Sequence, residues 1–204
     1  MVDLVPSPDS VMNILKTTGA YRKGHFVYPN GKHASHYFQM PLAFRYYDNA
    51  RILSVGLSRL FRMEKAISSR LPKVSVISPS PGGIMVAFGV REALSAEQIY
   101  WAEMEDGKRQ FRQYMAESNV HPAIIVDDIV RSGRAIQETL DLCKEIGTEV
   151  IGVGTIVKFE DGPDDFGGVP VKSLLTYDVN FYENEGEWKK SRSASDADEE
   201  KVRF

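Results

Sequence analysis

The run from Ile124 to Ala135, Ile-Ile-Val-Asp-Asp-Ile-Val-Arg-Ser-Gly-Arg-Ala, constrains this chain more than any other stretch. Ile124 to Val126 is a short β-branched apolar run, the pattern of a strand buried on both faces of a parallel sheet. Two carboxylates, Asp127 and Asp128, follow where such a strand would leave the sheet. A small-residue loop with Ser132 and Gly133 comes next, and then an amphipathic helix. Its apolar positions Ile136, Leu140 and Cys143 recur at helical spacing, Thr139 and Ile146 flank them, and Gly147 stands where a C-cap belongs. A strand, two acids, a small loop and a helix amino terminus together make a ligand site at the carboxyl edge of a sheet.

The remaining segments repeat the alternation of strands and helices. Ser7-Pro8-Asp9-Ser10 opens a helix with a serine cap, a proline in the first turn and an early acid; Val11, Ile14, Leu15 and Thr18 share a face, and Gly19 ends it. Gly24 to Phe44 is irregular and aromatic, and Pro29-Asn30-Gly31 makes it a hairpin whose aromatics, Tyr37 and Phe38 among them, cover a core edge. A helix spans Asp48 to Arg62, with Leu53, Leu57, Leu60 and Phe61 inward. Strand Val74–Ile77, loop Ser78–Gly83 and helix Ile84–Leu94 form a second strand–loop–helix unit. Its Gly-rich loop could turn N–H groups toward an anion or simply punctuate a turn. Gln98–Trp101 is a strand, and Asp106-Gly107 centres a hairpin that carries Lys108, Arg109 and Arg112, with Phe111, Gln113 and Met115 alternating on the return side. Val150–Val157 and Val171–Leu175 are strands, separated by the acidic, Gly-rich segment 160–168. From Glu183 the chain is polar, with residues 191–200 expected to be loose. The expectation is an α/β fold with a mainly parallel central sheet flanked by helices. Residues 1–180 form one domain, and 181–204 a polar, partly disordered extension.

Composition narrows the function. A net charge of −3 over 204 residues gives no support to a nucleic-acid or anionic-membrane surface. No apolar run reaches membrane-spanning length, and the amino terminus lacks a basic region and an apolar signal core. One cysteine, Cys143, cannot form an internal disulfide, which suits a cytoplasmic location, and the four histidines show no metal-ligand spacing.

Three roles are open to Asp127 and Asp128. They could be turn or cap residues. They could order Mg²⁺ in a nucleotide hydrolase, but the chain has no G-x-x-x-x-G-K-[ST] loop. Or they could accept hydrogen bonds from vicinal ribose hydroxyls while the backbone of Arg131 to Ala135 and the Ser132 hydroxyl hold a phosphate at the helix amino terminus. Charge balance favours the last role: the acids meet neutral hydroxyls, and the helix dipole with Arg131 or Arg134 faces the anion.

The same run resembles the phosphoribosyl pyrophosphate (PRPP) signature of type I phosphoribosyltransferases. Gly24-His25-Phe26, Asn30 to His33, Tyr37 to Gln39, Ser80 to Ile84, Ala102 to Gly107 and Val150 to Val157 resemble the orotate branch in order and spacing, so the likeness covers roughly residues 10–180. It implies the type I fold with a small amino-terminal hood and a mobile hairpin. Asp127 and Asp128 would then bind the ribose hydroxyls; Val130, Arg131, Ser132, Gly133, Arg134 and Ala135 the 5′-phosphate; and Ser80, Pro81, Gly82 and Gly83 the pyrophosphate. Tyr37, Phe38 and Lys158 would line the base pocket, and Lys108 and Arg109 would lie on the closing hairpin. It further implies Mg²⁺ held mainly through PRPP rather than by direct protein ligands, and a homodimer. The reaction moves ribose 5-phosphate from PRPP onto a small planar base with release of pyrophosphate. Two positions depart from the family pattern: Glu103-Met104 stand where the mobile loop carries a basic residue, and Lys158-Phe159 stand where an Asp-Arg pair clamps orotate. Beside the transferase stand a PRPP-binding regulator or catalytically silent homologue, and an α/β domain using this loop for another phosphate ligand.

Overall fold

The computed structural model describes residues 5–28, 30–111, 115–118, 121–191 and 201–203. The expected positions of Arg112 and Gln113 and the stretch 192–200 lie outside them. The elements in chain order are α1 (Pro8–Thr17), β1 (Tyr21–Val27), β2 (His33–Phe38), α2 (Pro41–Phe44), α3 (Tyr47–Arg62), α4 (Lys65–Ser68), β3 (Ser75–Ser78), α5 (Ile84–Leu94), β4 (Gln98–Glu105) and β5 (Lys108–Phe111). They continue with α6 (Met115–Ser118), β6 (Ala123–Val130), α7 (Arg134–Glu145), β7 (Val150–Phe159), β8 (Asp165–Phe166), β9 (Val169–Tyr177), β10 (Phe181–Tyr182), α8 (Glu185–Lys190) and β11 (Lys201–Arg203).

Local chemistry sets these boundaries. Ser7 caps α1, its Oγ accepting from the Ser10 N–H at 3.2 Å, and Gly19 leaves the helix at φ +73°. Asp106 and Gly107 both take positive φ, +50° and +76°, as a two-residue turn between β4 and β5 requires.

The main sheet runs β5-β4-β3-β6-β7-β9-β8, with β4, β3, β6, β7 and β9 parallel and β5 and β8 antiparallel at its edges. Strand β6 is central and buried on both faces. Ile124 and Val126 enter one apolar cluster with Leu53, Leu57 and Val90, while Ile125 enters another with Ile136, Cys143 and Val153. This explains why its sequence is continuously apolar rather than alternating. The chain passes from β3 outward to β4, then returns to place β6 on the other side of β3. The crevice at that reversal of strand order is where open α/β sheets bind ligands.

A second sheet, β10-β2-β1-β11, forms the hood. Its centre is the expected hairpin, beginning at Tyr21 and shifting register between Lys23 and Phe26. The carboxy-terminal segment contributes both flanks: Phe181 pairs with Ala34, and β11 lies parallel to β1 with His25 opposite Lys201. Between them Trp188 is buried, stacks on His25 with ring centroids 3.7 Å apart, and donates its Nε1–H to Ser35 Oγ at 3.0 Å. The described parts of the polar extension therefore build the hood rather than trail from it.

Candidate active site

The site grows from the end of β6. Asp127 is buried, and Ser80 Oγ donates to its Oδ1 at 2.8 Å, as does the Asp128 N–H at 3.1 Å. The Ile129 N–H donates to Asp128 Oδ1 at 2.9 Å. Burial raises the Asp127 pKa well above the usual carboxylate range, and the neighbouring Asp128 charge raises it further. Burial also raises that of Asp128. Two buried adjacent carboxyls resist double ionisation, so the pair holds a proton readily and welcomes donors or positive charge.

The loop after β3 lies against these acids. A Cβ on Gly83 would come within 2.6 Å of Asp127 Oδ1 and 2.7 Å of Ser78 Oγ; one on Gly82 would come within 2.9 Å of Asp128 Oδ2. Only hydrogen fits there, so the glycines serve contact between two loops, a role their sequence alone left open. The loop after β6 is equally close-packed. Gly133 takes φ +72°, and a Cβ on it would meet Pro163 at 2.6 Å and Phe166 at 2.7 Å. Asp127 and residues 129–136, including Val130, Ser132 and Ala135, line a cavity of about 210 Å³ at the start of α7, where the first-turn N–H groups have no intrahelical acceptors.

Tyr37, on β2 of the hood, is near enough to Asp128 to sense its charge. Its hydroxyl is made less acidic by burial and by the Asp128 charge, and its ring stacks on Phe26 at 5.5 Å. Phe38 is 4% exposed and packs on Phe159 at 5.8 Å, so it is a core residue beneath the site rather than an open wall.

The expected cations are placed differently. Lys158 is buried at the end of β7, its Nζ 2.6 Å from Asp164 Oδ1 and 3.2 Å from the Gly162 carbonyl. The residue that approaches the hood aromatics is instead Phe159, because side chains alternate across a strand. The structure thus sets Lys158 to holding the 160–164 loop, correcting its assignment to the base pocket. Arg134, expected to face an anion, is exposed and bonds Glu138 at 2.6 Å. Arg131 lines the cavity at the start of α7 and sets its guanidinium over the rings of Tyr28 and Phe181, at 5.7 and 5.2 Å. Arg109 bridges from the hairpin to Glu138 at 3.0 Å and to the Pro79 carbonyl beside the glycine loop, whereas Lys108 is exposed opposite Glu105.

Sequence reasoning missed Tyr28, Phe181 and Glu138. Glu138 carried a signal, four residues after Arg134 on a helix; Phe181 carried none, because its neighbours come from β2 and the β6 loop.

An orotate phosphoribosyltransferase of Thermotoga petrophila is 33% identical over 175 residues, 86% of this chain and 89% of that protein. The chain belongs to the orotate phosphoribosyltransferase family. A second family member, from Caldanaerobacter subterraneus subsp. tengcongensis, is 33% identical over 177 residues, covering 87% of this chain and 88% of its own. The solved orotate phosphoribosyltransferase of Aeropyrum pernix superposes with a TM-score of 0.59 at 19% identity, covering 81% of this chain and 93% of that one, and shows the shared type I phosphoribosyltransferase fold. No family model matches the chain. As an orotate phosphoribosyltransferase homologue, the protein is a phosphoribosyltransferase enzyme, and no helix among its described residues is long and apolar enough to cross a membrane.

Proposed function

We propose that this enzyme transfers the ribose 5-phosphate of PRPP to orotate in pyrimidine nucleotide synthesis, as a cytoplasmic, Mg²⁺-dependent homodimer. The observation that carries the reading is the contact between Asp127 and Asp128 and the Gly82-Gly83 turn. It brings the two carboxylates, read as acceptors for ribose hydroxyls, against the loop read as the pyrophosphate site, and Asp127 also lines the cavity at the start of α7 that would take the 5′-phosphate.

In this reading the ribose hydroxyls donate to the acid pair, the α7 amides hold the 5′-phosphate, and the amides of residues 80–83 hold the pyrophosphate. A ring nitrogen of the base forms the bond to C1 as the C1–O bond breaks, and pyrophosphate leaves with the electron pair. Positive charge develops at C1 beside buried carboxylates, and charge on the leaving oxygens falls among N–H donors. Arg109, fixed beside Pro79, adds a cation on that side. Mg²⁺ would be held mainly through PRPP oxygens rather than by direct protein ligands. The metal would supply further neutralisation of the leaving pyrophosphate. An exposed apolar groove of about 640 Å³ between α3 and α5, with Tyr47, Met85 and Phe88 at its surface, supports a second copy docking there.

Incubating the enzyme with PRPP, Mg²⁺ and orotate should release pyrophosphate and form orotidine 5′-phosphate. PRPP binding without release across orotate, uracil and purines would instead favour the silent-homologue reading. Absence of a melting shift with PRPP would remove both.

A further inference from the structure

Residues 160–166, the turn after β7 and the short strand β8, lie directly under the loop that follows β6. Two glycines mark the contact. A Cβ on Gly162 would come within 2.7 Å of the Arg131 carbonyl oxygen and 3.4 Å of that of Val130. One on Gly133, which caps α7 at φ +72°, would meet Pro163 Cγ at 2.6 Å and the Phe166 ring at 2.7 Å. The two segments therefore touch at both ends of the β6 loop, before Ser132 and after it. The turn is itself tied to the sheet, since the Asp164 carbonyl accepts from the Val171 N–H at 2.9 Å.

Lys158 fixes that turn. It pairs across the β6–β7 ladder with Val130, which packs with Ile136 and Phe166, and it is 6% exposed. Its ammonium bonds both neighbours of Pro163, the Gly162 carbonyl at 3.2 Å and Asp164 Oδ1 at 2.6 Å. The Asp164 side chain is 91% exposed, so a surface carboxylate is drawn to a buried cation. An ammonium taken out of water is retained only where such acceptors replace its hydration. With one group gripping both sides of Pro163, the ring is held against Gly133, and the first N–H groups of α7 are held with it. We propose that Lys158 is a positioning residue for the 5′-phosphate. Acting through Pro163, it sets Gly133 and the amides that follow where a phosphate needs them, and it does not touch the substrate itself. The proposal rests on the transferase reading, which puts the 5′-phosphate at the start of α7. It gives the lysine on β7 a duty toward the sugar phosphate and none toward the base.

The test is steady-state kinetics with PRPP, Mg²⁺ and orotate, joined to calorimetric titration with ribose 5-phosphate. The variants are Lys158→Met, Asp164→Ala, Pro163→Gly and the Lys158→Met, Pro163→Gly double. Displaced amides should raise KM for PRPP and Kd for ribose 5-phosphate by about tenfold in Lys158→Met, and by about threefold in Asp164→Ala, where the Gly162 bond remains. Because the lost grip acts on substrate and transition state alike, kcat should stay within about twofold and KM for orotate should not move. Adding Lys158→Met to Pro163→Gly should bring little further loss, since both act through one ring. Amide exchange at residues 133–136 should quicken in ligand-free Lys158→Met. An unchanged PRPP KM in Lys158→Met overturns the proposal, as does full additivity with Pro163→Gly, or a fall in kcat at constant KM. Should Lys158→Met not fold, Asp164→Ala decides on the same terms, because its side chain is exposed. A wild type that binds neither PRPP nor ribose 5-phosphate refutes the transferase reading itself, whereas turnover by wild type with indifferent variants refutes the positioning role alone.

Discussion

Substituting Gly83 by alanine probes the contact on which the site is built. The backbone there is ordinary, φ −78° and ψ −10°, so alanine brings no conformational strain and should gain about 0.4–1 kcal/mol by restricting the unfolded chain. The opposing effect is steric. The new methyl would lie 2.6 Å from Asp127 Oδ1, 2.7 Å from Ser78 Oγ and 3.0 Å from the Asp127 Cα. None of these retreats freely. Asp127 Oδ1 is held by Ser80 and the Asp128 N–H, Ser78 Oγ donates to the Ser80 carbonyl at 2.6 Å, and the third atom is backbone of the central strand. Overpacking of this kind costs about 1–3 kcal/mol; with all three atoms held the upper part of that range applies, about 2–3 kcal/mol, leaving a net destabilisation of about 1–2 kcal/mol. In a domain of this size that lowers the melting temperature by roughly 2–8 °C. Calorimetry measures the fall, and PRPP titration should show weakened binding as the acids and the glycine loop are pushed apart. Placing the substitution in an Asp127→Ala background should relieve part of the cost, with a coupling of at least about 0.5 kcal/mol. Unchanged melting and PRPP affinity in the single variant, or strict additivity in the double, would refute the contact.

Asp127→Asn should stabilise the ligand-free protein at pH 7 while abolishing the PRPP melting shift. The folded-state pKa of Asp127 is raised, so its stabilising contribution is complete below the ordinary carboxylate range and lost as pH rises through the folded value. The asparagine advantage should therefore grow with pH from about pH 4 upward, by about 2–4 °C in melting temperature for each kcal/mol removed, and vanish in acid. Lys158→Met keeps the stem and deletes the ammonium. Amide exchange should quicken across residues 160–164 with orotate-over-uracil preference unchanged, and a lost preference would return Lys158 to the base pocket. Trp188→Ala should cost about 3–5 kcal/mol, seen as a melting fall of roughly 6–20 °C, and should weaken base binding through the hood. Intact base binding would separate hood and site.

What was legible in the sequence and what was not divides along sequence distance. The β6 strand, its acid pair, the α7 face and the Asp106-Gly107 turn are written in contiguous residues, and their periods and φ requirements act locally. The glycine loop was visible as a loop, but its reason was not, because Gly83 is shaped by Asp127 in another strand. Lys158 and Phe159 show the limit most directly. A one-residue change of face on β7 exchanges which of them meets the hood, and alternation gives no sign of which face is which until neighbouring strands are placed. Arg131 was expected to meet phosphate because it sits in the phosphate loop, yet long side chains go where partners are, and Tyr28 and Phe181 are supplied by distant segments.

The hood has a consequence for how the protein is made and handled. During synthesis the β1–β2 hairpin emerges well before the strands that complete its sheet, β10 and β11. Tyr28 and Tyr37 thus wait beside a partly unpaired hairpin until residues 181–203 have been made. Removing residues 201–203 would leave β1 with an open edge. Any change to β11 is therefore a change to the hood, and variants compared kinetically should share the same residues 181–203.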